Sequence, residues 1–573
     1  MSELQGFKQE LKKRIAAPEA NVLLRIAAGA EPGRVAEFSG PDLLEQAAAM
    51  AATFGPQRDH SVVLLLLPHS PELFLLHLGL VLQGHIPAIL AWPTSRIDPD
   101  KYQRNLLHQL RNLPADLLIT LPRLADNLGP SLPFPAAACA IQDSAAFEQL
   151  FPISPVSQAL DATAPSGAGA RPPADTVFLQ FSGGTTGAQK AVVVTASMLS
   201  SQMDLLREAL GVHPSDHVVS WLPMYHDMGL IACLWFPLWH GIPSLHMAAA
   251  DWVINPELLL DYISRFNGTL CWLPNFAFSY MAQRRQQMNR HQLGQVRAWV
   301  NCSEPVRRRS MMMFAEAFHD SGVTESSLQA SYAMAESVFA VTQTALGTVP
   351  PAVSRATLRT NAHAYSELAY DLVDDVFVSS GAPLSDTAVR IQDAGGEACP
   401  DGTAGEILIQ TPSLFSGYWG SDGFRTTSLG GGWHATGDYG FLKDGQLYVI
   451  GRLKDIVIIG GQNVFPEDVE LVVNSIPGVY PGRVVAFGVD DDGYGTQALA
   501  VTAELAAPYT REAADALSAE IRRTVLATIG IAPRYALAVP QRWIVKSTAG
   551  KISRRETRER FSKEHLLRKS EVA

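Results

Sequence analysis

The sequence predicts an α/β protein, and three observations carry that expectation. Short apolar runs alternate with helical segments over residues 1 to about 150, the pattern of a doubly wound parallel layer. Between Thr387 and Gly451 the pattern changes to short strands broken by glycine turns, which suggests a small β-barrel or sandwich. After the glycine-led, charged stretch Gly451-Arg452-Leu453-Lys454-Asp455, a smaller α+β unit runs to the end. A chain of 573 residues should form about three or four such units.

The elements follow in order. Ser61–Leu67 reads as a buried strand, Pro71–Gln83 as a helix and Ile86–Leu90 as a second strand, a βαβ unit. This greasy stretch contains Pro68, His69, Pro71, Glu72 and His77, too polar for a membrane span. Ala115–Thr120 is a further buried strand. Residues 152–175 are rich in Pro, Ala, Ser and Gly and read as an extended surface connection. Ala196–Leu210 is helical, and strands are expected at His217–Leu222, Thr269–Leu273, Val296–Cys302 and from Leu328. In the last unit strands fall near Ile456–Ile459, Arg483–Val489, Ala498–Glu504 and Ala536–Val539. Helices fall at Pro466–Ser475, Ala513–Ile529 and Ser553–Phe561.

Composition excludes several classes. A formal charge of −11 argues against non-specific nucleic-acid binding. The five cysteines form no CxxC pair, so neither a zinc site nor a disulfide framework is expected. They read as thiols of a reducing compartment, and the N-terminus MSELQGFKQELKKRI lacks the apolar core of a signal peptide. The expected location is cytoplasmic.

The chemistry gathers around Val177–Val194, VFLQFSGGTTGAQKAVVV. Two apolar strands flank a loop whose Gly183, Gly184 and Gly187 let N–H groups turn inward. Ser182, Thr185 and Thr186 add hydroxyls and Lys190 a mobile positive charge, a set suited to a polyphosphate. The GxxxxGK[ST] spacing is absent, so this is no Walker A loop, and a plain hairpin turn explains the loop alone equally well. WLPMYHDMGLI at Trp221–Ile231 offers His226-Asp227 as a base with its orienter or as metal ligands. No third ligand stands nearby and no GxSxG elbow occurs, so a histidine bonded to a carbonyl is the plainer reading. LQASYAMAE places an aromatic ring and a carboxylate just after a strand, where open α/β sheets collect ligands. Near the C-terminus a TxGK turn aims Lys551.

Taken together, FSGGTTGAQKAV, LPMYHDMGL, SYAMAES, GEILIQTPSLFSGYW, WHATGDYGFL, GRLKDIVIIGGQNVFPEDVE and TAGKISR resemble the adenylate-forming superfamily over about residues 20 to 565. WLPMYHDMGLI and NCSEPV at Asn301–Val306 are most similar to the fatty acyl-AMP ligase branch. The stretch Gln343–Leu384 lies where that branch carries an extra segment. Tyr332-Ala333 departs from the usual Tyr-Gly, and Cys302 replaces a glycine.

The resemblance implies a large N-terminal domain, residues 1–451, of two doubly wound subdomains plus a small β-barrel. It further implies a hinge at 452–455 and a mobile domain at 456–573. It implies activation of a carboxylic, expectedly fatty, acid with ATP and Mg²⁺, then transfer to the phosphopantetheine thiol of an acyl carrier protein. Ser182, Thr185, Thr186 and Lys190 would hold phosphates, Glu336 the magnesium, and Ser303, Glu304, Tyr332, Asp438 and Arg452 the adenosine. Lys551 would be catalytic, His226 would position the acid, and Lys454 would be the hinge. Met224, Met228 and Phe276 would line the acyl channel, although core packing explains them equally well. Coenzyme A as acceptor, an amino-acid substrate and a catalytically silent scaffold remain alternatives. Intact Lys190, Glu336, Asp438, Arg452 and Lys551 argue against the last.

Overall fold

The computed structural model describes all residues except 1, 17–20, 30–32, 57, 94–98, 129–131, 133, 142–170, 183–189, 355–375, 421, 427–429, 460–461, 492–495, 547–551 and 567–573. Two large sheets dominate the first 450 residues. In one, of eight strands among the described residues, Val62–Leu66 lies between Ile86–Ile89 and Leu117–Thr120, all parallel. Every residue of these three strands is buried, as continuous apolar runs require when helices cover both faces. Helix Pro71–Gln83 makes the crossover and stops at Gly84, whose φ of 92° suits a glycine and turns its N–H onto the last carbonyls. Thr176–Phe181 joins Ile86–Ile89 in parallel and pairs antiparallel with Ala191–Thr195. The strand–loop–strand reading therefore describes a hairpin on this sheet.

The second sheet has nine strands among the described residues. Leu24–Ala27, Ser244–His246, Val218–Ser220, Leu270–Leu273, Ala298–Asn301 and Leu328–Ala333 run parallel. Antiparallel strands, Val35–Phe38 and Ala340–Gln343, flank them. The sheets share one apolar core. Trp235 helps to join them: it stacks on Phe178 at 5.6 Å, and its Nε1–H donates to His77 at 3.2 Å.

The β-rich unit comprises Ala388–Gln392, Gly405–Gln410, His434–Lys443 and Gln446–Arg452. Among the described residues it is an antiparallel sheet of four strands. The sheet buries both faces against neighbours. Ile391, Ile407 and Leu447 cover Tyr332 and Val341, while Phe441, Tyr448 and Ile450 receive Phe377 and Phe465.

A single 3₁₀ turn, Leu453–Asp455, leads into the last unit. There Val479–Asp491 and Thr496–Leu505 pair antiparallel, and Tyr535–Val539 joins in parallel. Helices Pro466–Asn474 and Arg511–Ile529 bury one face of that sheet, and helix Arg554–Phe561 the other. Among the described residues no helix is long and apolar enough to cross a membrane.

Candidate nucleotide and acid site

The site assembles where the nine-stranded sheet meets the β-rich unit. Tyr332 is the penultimate residue of strand Leu328–Ala333, inside the strand rather than after it as expected. Its phenol donates to Asp438 Oδ2 at 2.6 Å. Asp438 and Arg452 are register partners on neighbouring antiparallel strands, so their side chains meet on one face. Arg452 Nε lies 3.1 Å from Asp438 Oδ1. Burial pushes the Asp438 carboxyl up, Arg452 and the Tyr332 hydroxyl pull it back, and Glu336 pushes it further up. Burial, followed by Asp438 itself, drives the Tyr332 phenol well above its ordinary value. Asp438 is buried, whereas Arg452 keeps 45% of its side chain exposed. This triad is a carboxylate with one flank open toward solvent through its arginine.

Glu336 follows in the 3₁₀ turn Ala335–Ser337. Its Oε1 accepts from the Tyr418 hydroxyl at 2.7 Å, and its backbone carbonyl accepts from Phe415 N–H at 2.7 Å. Lys190 lies over the Tyr418 ring, 4.6 Å from its centroid, a cation–π contact. Ser182 closes the base of the hairpin, its N–H donating to the Lys190 carbonyl at 3.0 Å. The His434 imidazole feels Glu336, Lys190 and Asp438 together, and burial holds it below the usual histidine range. Lys454 is lowered by burial first and by Arg452 next, and it also feels Asp438 and Lys190. Lys190, Glu336, Asp438, Arg452 and Lys454 thus share one electrostatic neighbourhood.

The second part of the site lies at the ends of the parallel strands. His226 Nδ1 is 2.5 Å from Asp227 Oδ1, and Asp227 caps the π-helix Met228–Trp235 through Met228 N–H. Ser303, at φ 71°, brings its hydroxyl to 3.9 Å from Met228 Sδ, so the loop after strand Ala298–Asn301 touches the start of the π-helix. A positive φ at a serine is uncommon and marks a turn its surroundings hold in place. Glu304 Oε2 accepts from Phe276 N–H at 3.0 Å, the start of helix Asn275–Gln283. Met224 and Met228 are buried, whereas Phe276 stands half-exposed, edge-on to the stacked rings of Trp221 and Trp252.

Thr185, Thr186 and Lys551 lie outside the described residues. Tyr418 and His434 escaped the sequence reasoning, although both stand inside quoted motifs, GEILIQTPSLFSGYW and WHATGDYGFL. A search for charged or hydroxyl clusters at short spacing passes over a tyrosine 82 residues from its carboxylate. Among the described residues no three His, Cys, Asp or Glu converge as a metal cage. Glu336 alone is still compatible with magnesium, which takes one or two carboxylates and completes its shell with phosphates and water.

Known proteins similar to this chain place it in a family. The model of the family described as AMP-binding enzyme matches residues 19–419. A putative acyl-CoA synthetase of Caulobacter vibrioides is 32% identical over 55% of this chain, and the match spans only 57% of that relative's length. The long-chain-fatty-acid–AMP ligase FadD32 of Mycobacterium marinum is 31% identical, over 67% of this chain and 68% of its own. The medium-chain-fatty-acid–[acyl-carrier-protein] ligase JamA of Moorena producens is 29% identical over 67% of each. Among solved structures, one from a study of fatty acyl-adenylate ligases of E. coli and L. pneumophila superposes with a TM-score of 0.80 at 22% identity, covering 98% of both chains. The chain belongs to the AMP-binding enzyme family of adenylate-forming ligases.

Proposed function

We propose that this chain activates a fatty acid as its acyl-adenylate and then loads the acyl group onto the phosphopantetheine thiol of an acyl carrier protein. In the first step a carboxylate oxygen attacks the α-phosphorus of ATP, and the bond to the β-phosphate breaks to release pyrophosphate. In the second, the thiol, having lost its proton, attacks the acyl carbon and releases AMP. The observation that carries the reading is the convergence of Tyr332, Asp438 and Arg452 beside Glu336 and Lys190.

Each residue has a task that its chemistry fits. The Tyr332 ring offers a face for adenine, and Asp438 can accept from a ribose diol. Lys190, with the hydroxyls of Ser182, Thr185 and Thr186, holds the β- and γ-phosphates. Glu336 would hold magnesium, which would supply positive charge to offset that of the phosphates. Ser303 and Glu304 face the adenine edge, and Arg452 assists the ribose and phosphate. His226, oriented by Asp227, positions the acid, which needs no base because it arrives ionised. Met224, Met228 and Phe276 line the acyl path. Phosphoryl transfer is mostly positioning and charge stabilisation, and these groups supply both.

Lys551 supplies the last cation, between carboxylate and α-phosphate. Lys551→Ala should lower acid-dependent pyrophosphate exchange by about 10²–10³-fold while sparing thiolysis of supplied acyl-adenylate. Exchange near wild-type rate would remove Lys551 from this role. Residues 1–451 would act as one body and 456–573 as a second that turns about 452–455. Lys454→Pro should therefore spare adenylate formation and block transfer. Equal loss of both steps would place the hinge elsewhere.

A second reading makes coenzyme A the acceptor, and the Caulobacter relative's name favours it. The resemblance of WLPMYHDMGLI to the acyl-AMP ligase branch and the similarity to JamA favour the carrier. The deciding experiment screens acids by pyrophosphate release, then follows product mass with coenzyme A and with holo carrier. Adenylate that persists with coenzyme A and vanishes with carrier supports the first reading. Acyl-CoA formation supports the second, and no AMP from any acid overturns both.

A further inference from the structure

Arg554 meets three carboxylates from much earlier in the sequence, Asp455, Glu467 and Glu470, at the joint between the β-rich unit and the last unit. Arg554 opens the helix Arg554–Phe561 and is only 16% exposed. Its Nη1 donates to Asp455 Oδ2 at 2.7 Å, and its Nη2 donates to Glu470 Oε1 at 2.9 Å and lies 3.2 Å from Glu467 Oε1. Its Nε donates to the Ala486 carbonyl at 2.9 Å, and Glu470 Oε1 accepts from Ala486 N–H at the same distance. One guanidinium therefore ties a strand, two helices and the 3₁₀ turn Leu453–Asp455. Burial pushes the Glu467 and Glu470 carboxyls up, and Arg554 pulls both back.

The cluster also touches the other side of the joint. A Cβ on Gly451 would stand 2.9 Å from Glu467 Oε2, so the backbone at the end of the β-rich unit rests against this carboxylate. Arg307 Nη2 reaches the Glu467 backbone carbonyl at 3.5 Å. Of the four charges, Asp455 alone lies within the turn that links the units. The other three belong to the body beyond it.

We propose that Arg554 is a positioning residue: through Asp455 it fixes the far end of the linking turn to the last unit, so that a rotation about Lys454 carries the whole unit with it. The idea rests on the hinge in the function proposed above. A loose turn would let the last unit sample many orientations, and the fraction of time spent in the productive one would fall. Asp455 is the discriminating position. Removing its charge leaves Arg554 paired with Glu467 and Glu470, so the last unit keeps its own bonds and only the tie to the turn is lost.

The test compares full-length wild type with D455N and D455E. It uses decanoate as probe acid and hydroxylamine to trap the adenylate. Three quantities are read: the melting midpoint, amide exchange across 453–457, and kcat and KM for ATP. D455N should shift melting by only a few degrees, speed exchange across 453–457 about tenfold, and lower kcat about tenfold at unchanged KM. D455E, whose carboxylate still reaches the guanidinium, should restore both. Unchanged exchange in D455N overturns the lock. So does a kcat loss that persists in D455E once its exchange has returned to wild type. Should wild type make no hydroxamate from any acid, the adenylation reading fails while the exchange measurement still decides the lock.

Discussion

Two arginine–carboxylate clusters stand on either side of a three-residue turn, and they are built to opposite plans. At Arg452, one carboxylate and one phenol meet a guanidinium that keeps 45% of its side chain exposed. At Arg554, three carboxylates and a carbonyl surround a guanidinium that is 16% exposed. The first leaves hydrogen-bonding capacity for a ligand. The second spends its donors inside the protein. Charge count alone would rank the second as the better site, yet saturation marks it as a joint. Buried ions are costly unless each is paired, and only the Arg452 cluster leaves its arginine accessible to something that comes and goes.

The largest expected effect would break the comparison from the saturated side. Arg554→Met removes the cation that three carboxylates share. Breaking a buried pair by deleting one partner typically costs about 3–5 kcal/mol. Unfolding followed by tryptophan fluorescence should show the last unit, which contains Trp543, melting well before the rest. A loss under about 1 kcal/mol would mean the cluster is wet and its charges need no partner.

Asp438→Asn tests the open side. The amide keeps the shape but loses the charge facing Arg452 and half of its acceptor capacity. The kcat/KM for ATP should fall about 10²-fold, the scale of one lost electrostatic contact in a closed site. Stability should change little, because burial already disfavours the ionised carboxyl at this position. A large drop in melting midpoint with intact ATP use would reverse the assignments of the two clusters.

How much of this was legible beforehand depended on range. Helix Pro71–Gln83 and helix Ala196–Leu210 stand where the sequence places them, because apolar spacing and a terminal glycine act locally. Tyr332, Glu336, Asp438 and Arg452 were legible as pieces of motifs, but their meeting depends on strand register, which short motifs do not encode. The β-rich unit shows the same limit: glycine turns announce strands without saying whether the sheet closes. Arg554 and Asp455 are 99 residues apart, and each reads alone as a solvated charge. Their cluster becomes visible only when helix Pro466–Asn474 brings Glu467 and Glu470 between them.

The smallest effect sharpens the comparison within the open side. Tyr418 does two jobs: its hydroxyl holds Glu336 and its ring faces Lys190. Tyr418→Phe deletes the first and keeps the second. A hydrogen bond to a carboxylate is worth about 1.5–3 kcal/mol, but Glu336 is half-buried and water can replace the lost donor, so the lower end or less applies. Freed of that bond, Glu336 becomes a better ligand for a cation but a less directed one. The magnesium concentration giving half-maximal activity should shift by about 3–10-fold, while KM for the acid stays put. An unchanged magnesium dependence with an altered acid KM would move Tyr418, and Glu336 with it, from the metal side of the site to the acyl side. Loss of the ring as well, in Tyr418→Leu, should add a defect in pyrophosphate release that follows Lys190, because the cation–π contact is then gone. The two variants together separate what holds the carboxylate from what holds the lysine, a distinction the saturated cluster at Arg554 does not permit.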